Sequence, residues 1–212
     1  MNLKVCPLLA LLVFMSGGIS RAQSGTTQLG ISGDRFTING QPTFLLGASY
    51  YDPTGWKTSD LDGLAARRFN LIRCFLHWDG WNRSSFNSDG SLRTTAILDL
   101  ARACAARGIV VDVTILDSSV GSSQAGPMAT AVRSAVRLLR NEPNVFFDLV
   151  NEHNGNWTPS HSHSTMGALM AAARQEDPDA ILTFSSAEYF GSHLMQPFSN
   201  TSVHAEIGRA HV

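Results

Sequence analysis

The sequence has no basic cluster, and its 16 Lys and Arg are offset by 17 Asp and Glu, leaving a formal net charge of -1. Nucleic-acid binding needs a positive patch, so no nucleic-acid partner is expected. Cysteine is scarce: three residues in 212 are too few for a disulfide scaffold. Cys6 falls in a leader-like N terminus. Cys74 lies in a strand-like run and Cys104 on a helical stretch, which reads as two buried thiols rather than a bridge. The apolar run Val5 to Met15 is shorter than the roughly 20 residues of a membrane span. Two further absences narrow the chemistry. No Gly-x-Gly-x-x-Gly follows the first strand, where Gly47-Ala48-Ser49-Tyr50-Tyr51-Asp52 stands instead, so a dinucleotide-binding sheet is disfavoured. No Gly-x-Ser-x-Gly elbow occurs, which disfavours an open-sheet esterase.

What is present is an ordinary globular composition, 43% hydrophobic and 16% charged. Lys4, the apolar run, Gly17-Gly18 and Ser20-Arg21-Ala22 form a secretory signal peptide over residues 1–22, with cleavage expected after Ala22. A secreted or periplasmic location follows. Residues 23–35 read as a flexible spacer rich in Gly, Thr and Ser. Asn82, Asn156 and Asn200 each open an Asn-X-Ser/Thr triplet, which matters only in a glycosylating host.

From Phe36 the chain becomes periodic. Phe36-Thr37-Ile38 and Thr43-Phe44-Leu45 flank Asn39-Gly40-Gln41-Pro42, and Asn-Gly supplies the positive φ values of a tight hairpin turn. Four runs read as strands buried on both faces: Leu71 to Trp78, Ile109 to Asp117, Val145 to Asn151 and Ile181 to Ser185. Helical periodicity fills the gaps at Ser59 to Phe69, Thr95 to Arg107, Met128 to Arg140 and Thr165 to Gln175. Ile97, Leu98, Leu100, Ala101 and Cys104 make one apolar stripe, and Gly108 is a left-handed helix stop. Strand starts at 71, 109, 145 and 181 are separated by 38, 36 and 36 residues. A repeating βα unit of this kind predicts a parallel sheet closed by right-handed crossovers, an α/β (β/α)8 barrel.

In such a barrel function sits where strands end. The strand ends here carry Tyr50-Tyr51-Asp52, then Arg73 with His77-Trp78, then Asp112 and Asp117, then Asn151-Glu152-His153, with Glu188 and Tyr189 after the next strand. Glu152, approached through the apolar Phe146 to Val150, is the candidate general acid. Asn151 beside it can donate to a hydroxyl of a sugar ring. Arg73 is costly to bury alone and requires an anionic partner, which is either a catalytic carboxylate or a structural Asp112 or Asp148. Trp78, Trp81 and Trp157 fall in loops at this end, where aromatic faces can stack on sugars. His161 and His163 form His-x-His without a neighbouring cysteine or carboxylate and read as exposed. No metal or other cofactor is expected.

The motifs Phe36-x-Ile38-Asn39-Gly40-x-Pro42 leading to Leu45-Leu46-Gly47, then Asn70-Leu71-Ile72-Arg73, then Asn151-Glu152, resemble the cellulase and mannanase-like glycoside hydrolases, family 5 and its barrel relatives, from Phe36 to His204. The resemblance implies retaining hydrolysis of β-linked oligo- or polysaccharides. It makes Glu152 the acid/base and Asn151 a sugar ligand, lets Arg73 orient the nucleophile, and lines the substrate site with Tyr50, His77, Trp78, Glu188 and, on a sixth strand, His204. Departures leave the substrate open: His153 follows Glu152 where Pro is usual, and Asp117-Ser118 replaces an Asp-x-His. Relatives carry the nucleophilic Glu at the end of the seventh strand, which this sequence does not reach. Its last residues, 207–212, resemble translated sequencing adapter, so residues 36–206 are expected to form a partial barrel of about six strands. A non-catalytic carbohydrate-binding barrel is the alternative.

Overall fold

A computed structural model describes residues 26–51, 53–76, 85–116, 125–153 and 163–185. The chain opens with a three-stranded antiparallel sheet of β1 (Leu29–Ser32), β2 (Arg35–Ile38) and β3 (Gln41–Pro42). The Asn-Gly turn is as expected: Ile38 pairs with Gln41, and Asn39 and Gly40 take φ of 52° and 76°. So tight a turn starts the return strand at Gln41 rather than Thr43. Pro42 has no N–H to give, and the Thr43 N–H continues the ladder to the Phe36 carbonyl at 2.9 Å. The flexible spacer expected over 23–35 is corrected from Leu29 onward. Leu29–Ser32 form β1 and Arg35 opens β2, because Leu29 is buried and its N–H reaches the Pro143 carbonyl at 2.8 Å.

Then follow β4 (Gly47–Ser49), α1 (Thr58–Ala66), β5 (Leu71–Phe75), α2 (Ala96–Ala105), β6 (Val110–Leu116), α3 (Ala125–Leu139), β7 (Val145–Val150), α4 (His163–Glu176) and β8 (Leu182–Thr183). The five strands β4 to β8 are parallel and lie side by side in chain order. A doubly wound sheet would reverse direction at its middle. This one does not, and its unbroken winding is that of an incomplete (β/α)8 barrel.

Strand residues alternate between two faces. Ile72, Cys74, Val111, Val113, Val145, Phe147 and Leu149 pack outward in one core with Leu100 and Cys104 of α2 and Val132 and Val136 of α3. Leu71, Val110 and Phe146 face the other way and meet Phe36, Ile38 and Leu29. The hairpin thus covers the apolar N-terminal layer of the inner face. Helix α2 buries Ile97, Leu100, Ala101 and Cys104 as one stripe, and Gly108 beyond it has a φ of 76°. Both Cys74 and Cys104 are buried and unbridged. Desolvation pushes the Cys104 thiol up to about 12. Among the described residues no helix is long and apolar enough to cross a membrane.

Candidate active site

Above the layer of Leu71, Val110 and Phe146, the same inward register turns polar. Arg73 on β5 pairs with Asp112 on β6, and Thr114 on β6 pairs with Asp148 on β7, which pairs with Thr183 on β8. A two-residue step along three neighbouring strands therefore puts a guanidinium and two carboxyls in one layer.

The guanidinium is the hub. Arg73 Nε donates to Thr114 Oγ1 at 2.9 Å and lies 3.4 Å from Asp112 Oδ2. Its Nη2 donates to Asp148 Oδ2, to Asn151 Oδ1 at 3.0 Å and to Ser185 Oγ at 3.0 Å. Its Cζ sits 4.7 Å from the centroid of the Phe75 ring, a cation–π contact. The Arg73 and Asp148 side chains are 15% and 2% exposed, so the pair is largely removed from water. Among the described residues the structural ion pair with Asp148 and Asp112 is present.

Two carboxyls facing one guanidinium cannot both be balanced. Burial, and then the charge of Asp148, hold the Asp112 carboxyl well above the usual carboxylate range, with Arg73 pulling the other way. Burial also raises Asp148, opposed by Arg73 and Ser185. Asp148 has the better partners, since its Oδ1 also accepts the Ser185 N–H at 3.0 Å. Asp112 Oδ1 is buried without a hydrogen-bond partner. The neutral carboxyl therefore belongs to Asp112.

Asn151 and Glu152 form the turn that leaves β7, both half-buried. The Asn151 N–H donates to the Leu116 carbonyl at 2.8 Å. With Asn151 Oδ1 committed to Arg73, the amide nitrogen is the end left to donate to a ligand. Glu152 takes a left-handed φ of 49°, rare for a residue with a Cβ. Its N–H donates to Ser185 Oγ at 2.9 Å, and the next N–H, of His153, reaches the Ser185 carbonyl at 3.0 Å.

The structure does not bring Tyr50 into this cluster. Ser49 is the register partner of Arg73 and faces inward, so Tyr50 turns out toward the helices. There its hydroxyl donates to Asp60 Oδ2 at 2.9 Å and accepts the Lys57 N–H at 3.3 Å. Burial and that acidic neighbour raise the phenol above its ordinary range. Tyr51 is an aromatic at this end: 62% exposed, it stacks on Phe75 with centroids 5.1 Å apart. Sequence reasoning also passed over Thr114 and Ser185. Counting in twos from Asp112 along its strand would have found Thr114, whereas short hydroxyl residues at strand ends carry no signal of their own. His77, Trp78, Glu188 and His204 lie outside the described residues, as do Trp81, Trp157, His161, Asp52, Asp117, Tyr189, Cys6, Asn82, Asn156, Asn200 and the leader. Among the described residues no group of His, Cys, Asp and Glu could hold a metal ion.

No protein-family model matches the chain, and a search of curated proteins finds no match. Solved structures do match. A β-mannanase from the blue mussel Mytilus edulis is 17% identical, with 76% of this chain and 64% of that one covered and a TM-score of 0.57. A β-glucanase from Saccharophagus degradans is 14% identical over 76% and 55% of the two chains, with a TM-score of 0.59. The catalytic domain of a Thermobifida fusca endoglucanase is 22% identical over 77% and 54%, with a TM-score of 0.54. The chain spans about three fifths of the length of these proteins. At such identities it is the fold that is shared: the chain has the incomplete (β/α)8-barrel fold of cellulase- and mannanase-like glycoside hydrolases.

Proposed function

We propose that this chain is the acid/base-bearing portion of a secreted glycosidase that hydrolyses β-linked oligo- or polysaccharides with retention of configuration. One observation carries the reading: Arg73 holds Asn151 and Ser185 together at the C-terminal ends of the parallel strands, so the Asn151–Glu152 turn is fixed at the end of the barrel where active sites lie. Glu152 would hand a proton to the glycosidic oxygen, and the Asn151 amide would donate to a hydroxyl of the reacting sugar. The nucleophile is assigned to the seventh strand of the complete barrel, about 5 Å from Glu152. The leader at residues 1–22 supports export, and Tyr51 supports a sugar-lined mouth.

The test uses the full-length product of the gene on β-linked oligosaccharides. Glu152→Ala is expected to lower kcat/KM by about 10²–10⁴-fold. Unchanged turnover in that variant overturns the assignment. Binding without turnover in the wild type, with no carboxylate at the seventh strand end, establishes a carbohydrate-binding barrel instead.

A further inference from the structure

Ser185 follows β8, two residues beyond Thr183 on the inward face, and five polar atoms converge on it. Its N–H donates to Asp148 Oδ1 at 3.0 Å, and its carbonyl accepts the His153 N–H at 3.0 Å. Its Oγ accepts from both Arg73 Nη2 at 3.0 Å and the Glu152 N–H at 2.9 Å, and its hydroxyl points back to the Val150 carbonyl at 3.5 Å. The hydroxyl is therefore the junction between the buried guanidinium and the backbone of the turn.

That turn is conformationally expensive. Glu152 sits at a φ of 49°, where a side-chain-bearing residue is held only if its surroundings over-determine it. Two successive N–H groups, of Glu152 and His153, are tied to the one residue Ser185. The carboxyl can swing only about its own side-chain bonds while that clamp holds.

We infer that Ser185 is a positioning residue: its hydroxyl, oriented by Arg73, holds the Glu152 backbone in the left-handed conformation that aims the carboxyl at the leaving-group oxygen. This rests on the reading of Glu152 as the proton donor. Proton donation matters in proportion to how poor the leaving group is, because an activated phenolate departs without it. Misplacing the acid should therefore slow the cleavage of ordinary glycosides and spare activated ones.

The experiment measures kcat/KM of the full-length protein for a β-linked oligosaccharide and for the matching dinitrophenyl β-glycoside, in wild type, Ser185→Ala, Ser185→Thr and Glu152→Gln. Comparing the two substrates within one preparation cancels any loss of folded protein. Ser185→Ala is expected to lose roughly 10- to 100-fold on the oligosaccharide and less than about twofold on the activated glycoside. Ser185→Thr, which keeps the hydroxyl, should recover most of the loss. Equal losses on both substrates, or none, overturn the inference while Glu152→Gln still discriminates between them. If Glu152→Gln itself does not discriminate, the proton-donor reading falls, and the role of Ser185 with it.

Discussion

Asp112 concentrates the electrostatic cost of the site in one side chain. Its carboxyl is buried, has an unpartnered oxygen and stays protonated well above the usual range. The unfolded chain gives up that proton above about pH 4, the ordinary aspartate value, while the folded state keeps it. Stability from this group is thus complete at acid pH and declines as pH rises toward the raised folded pKa, by at most about 1.4 kcal/mol per pH unit. Asp112→Asn carries no such proton. Urea titrations from pH 4 to 8 should show the wild type losing stability relative to the variant as pH rises; parallel curves would mean that Asp112 ionises normally. Glu152 makes a second residue-scale prediction. Replacing it by Gly and by Ala deletes the same carboxyl, but only Gly occupies a φ of 49° without strain. Glu152→Gly should be more stable than Glu152→Ala by about 1 kcal/mol in chemical unfolding. Arg73, Asn151 and Glu152 were legible in the sequence because a charge or an Asn-Glu pair interrupts an apolar run. Ser185 was not, because its importance lies in what its backbone and hydroxyl touch.

Elements were more legible than contacts. The strand runs and helical stripes reappear with ends shifted by a few residues, α3 and α4 starting earlier than expected, since apolar periodicity reports burial directly and burial is what selects these segments. The hairpin turn followed from Asn39-Gly40. The first strand did not: Leu29–Ser32 is short and polar at its far end, and only Leu29 betrays that it packs anywhere. Connections hide tight fits as well. Phe86 and Leu92 bridge across a short loop that carries Gly90 at a φ of 87°, and a Cβ there would lie 2.1 Å from the Pro127 carbonyl oxygen on α3. Gly90→Ala is expected to cost about 2–3 kcal/mol, from overpacking and backbone strain together. Gly33→Ala is the control, since Gly33 also has a positive φ but nothing stands within 4 Å of the added carbon. Its loss in thermal unfolding should be the smaller by at least half.

At the scale of the molecule, the hairpin and the parallel sheet are joined through one apolar layer. Phe146 is fully buried there, and its ring lies 5.9 Å from that of Phe36. Phe146→Ala should cost about 3–5 kcal/mol. Hydrogen exchange should accelerate at the amides of β1 and β2 ahead of those in α2, because the variant unseats the hairpin while leaving the outer helix layer packed. Uniform acceleration would show that the two layers open as one.

The order in which the strands neighbour one another bears on how the chain assembles as it leaves the ribosome. Each of β5 to β8 docks on the strand made just before it, so the sheet can grow unit by unit during translation. The hairpin cannot settle so early. Though synthesised first, it takes its seat from Pro143 and Phe146, more than a hundred residues downstream. Until the ribosome has passed them, the apolar side of the hairpin waits half-covered, and this is the interval in which a nascent chain has most need of a chaperone.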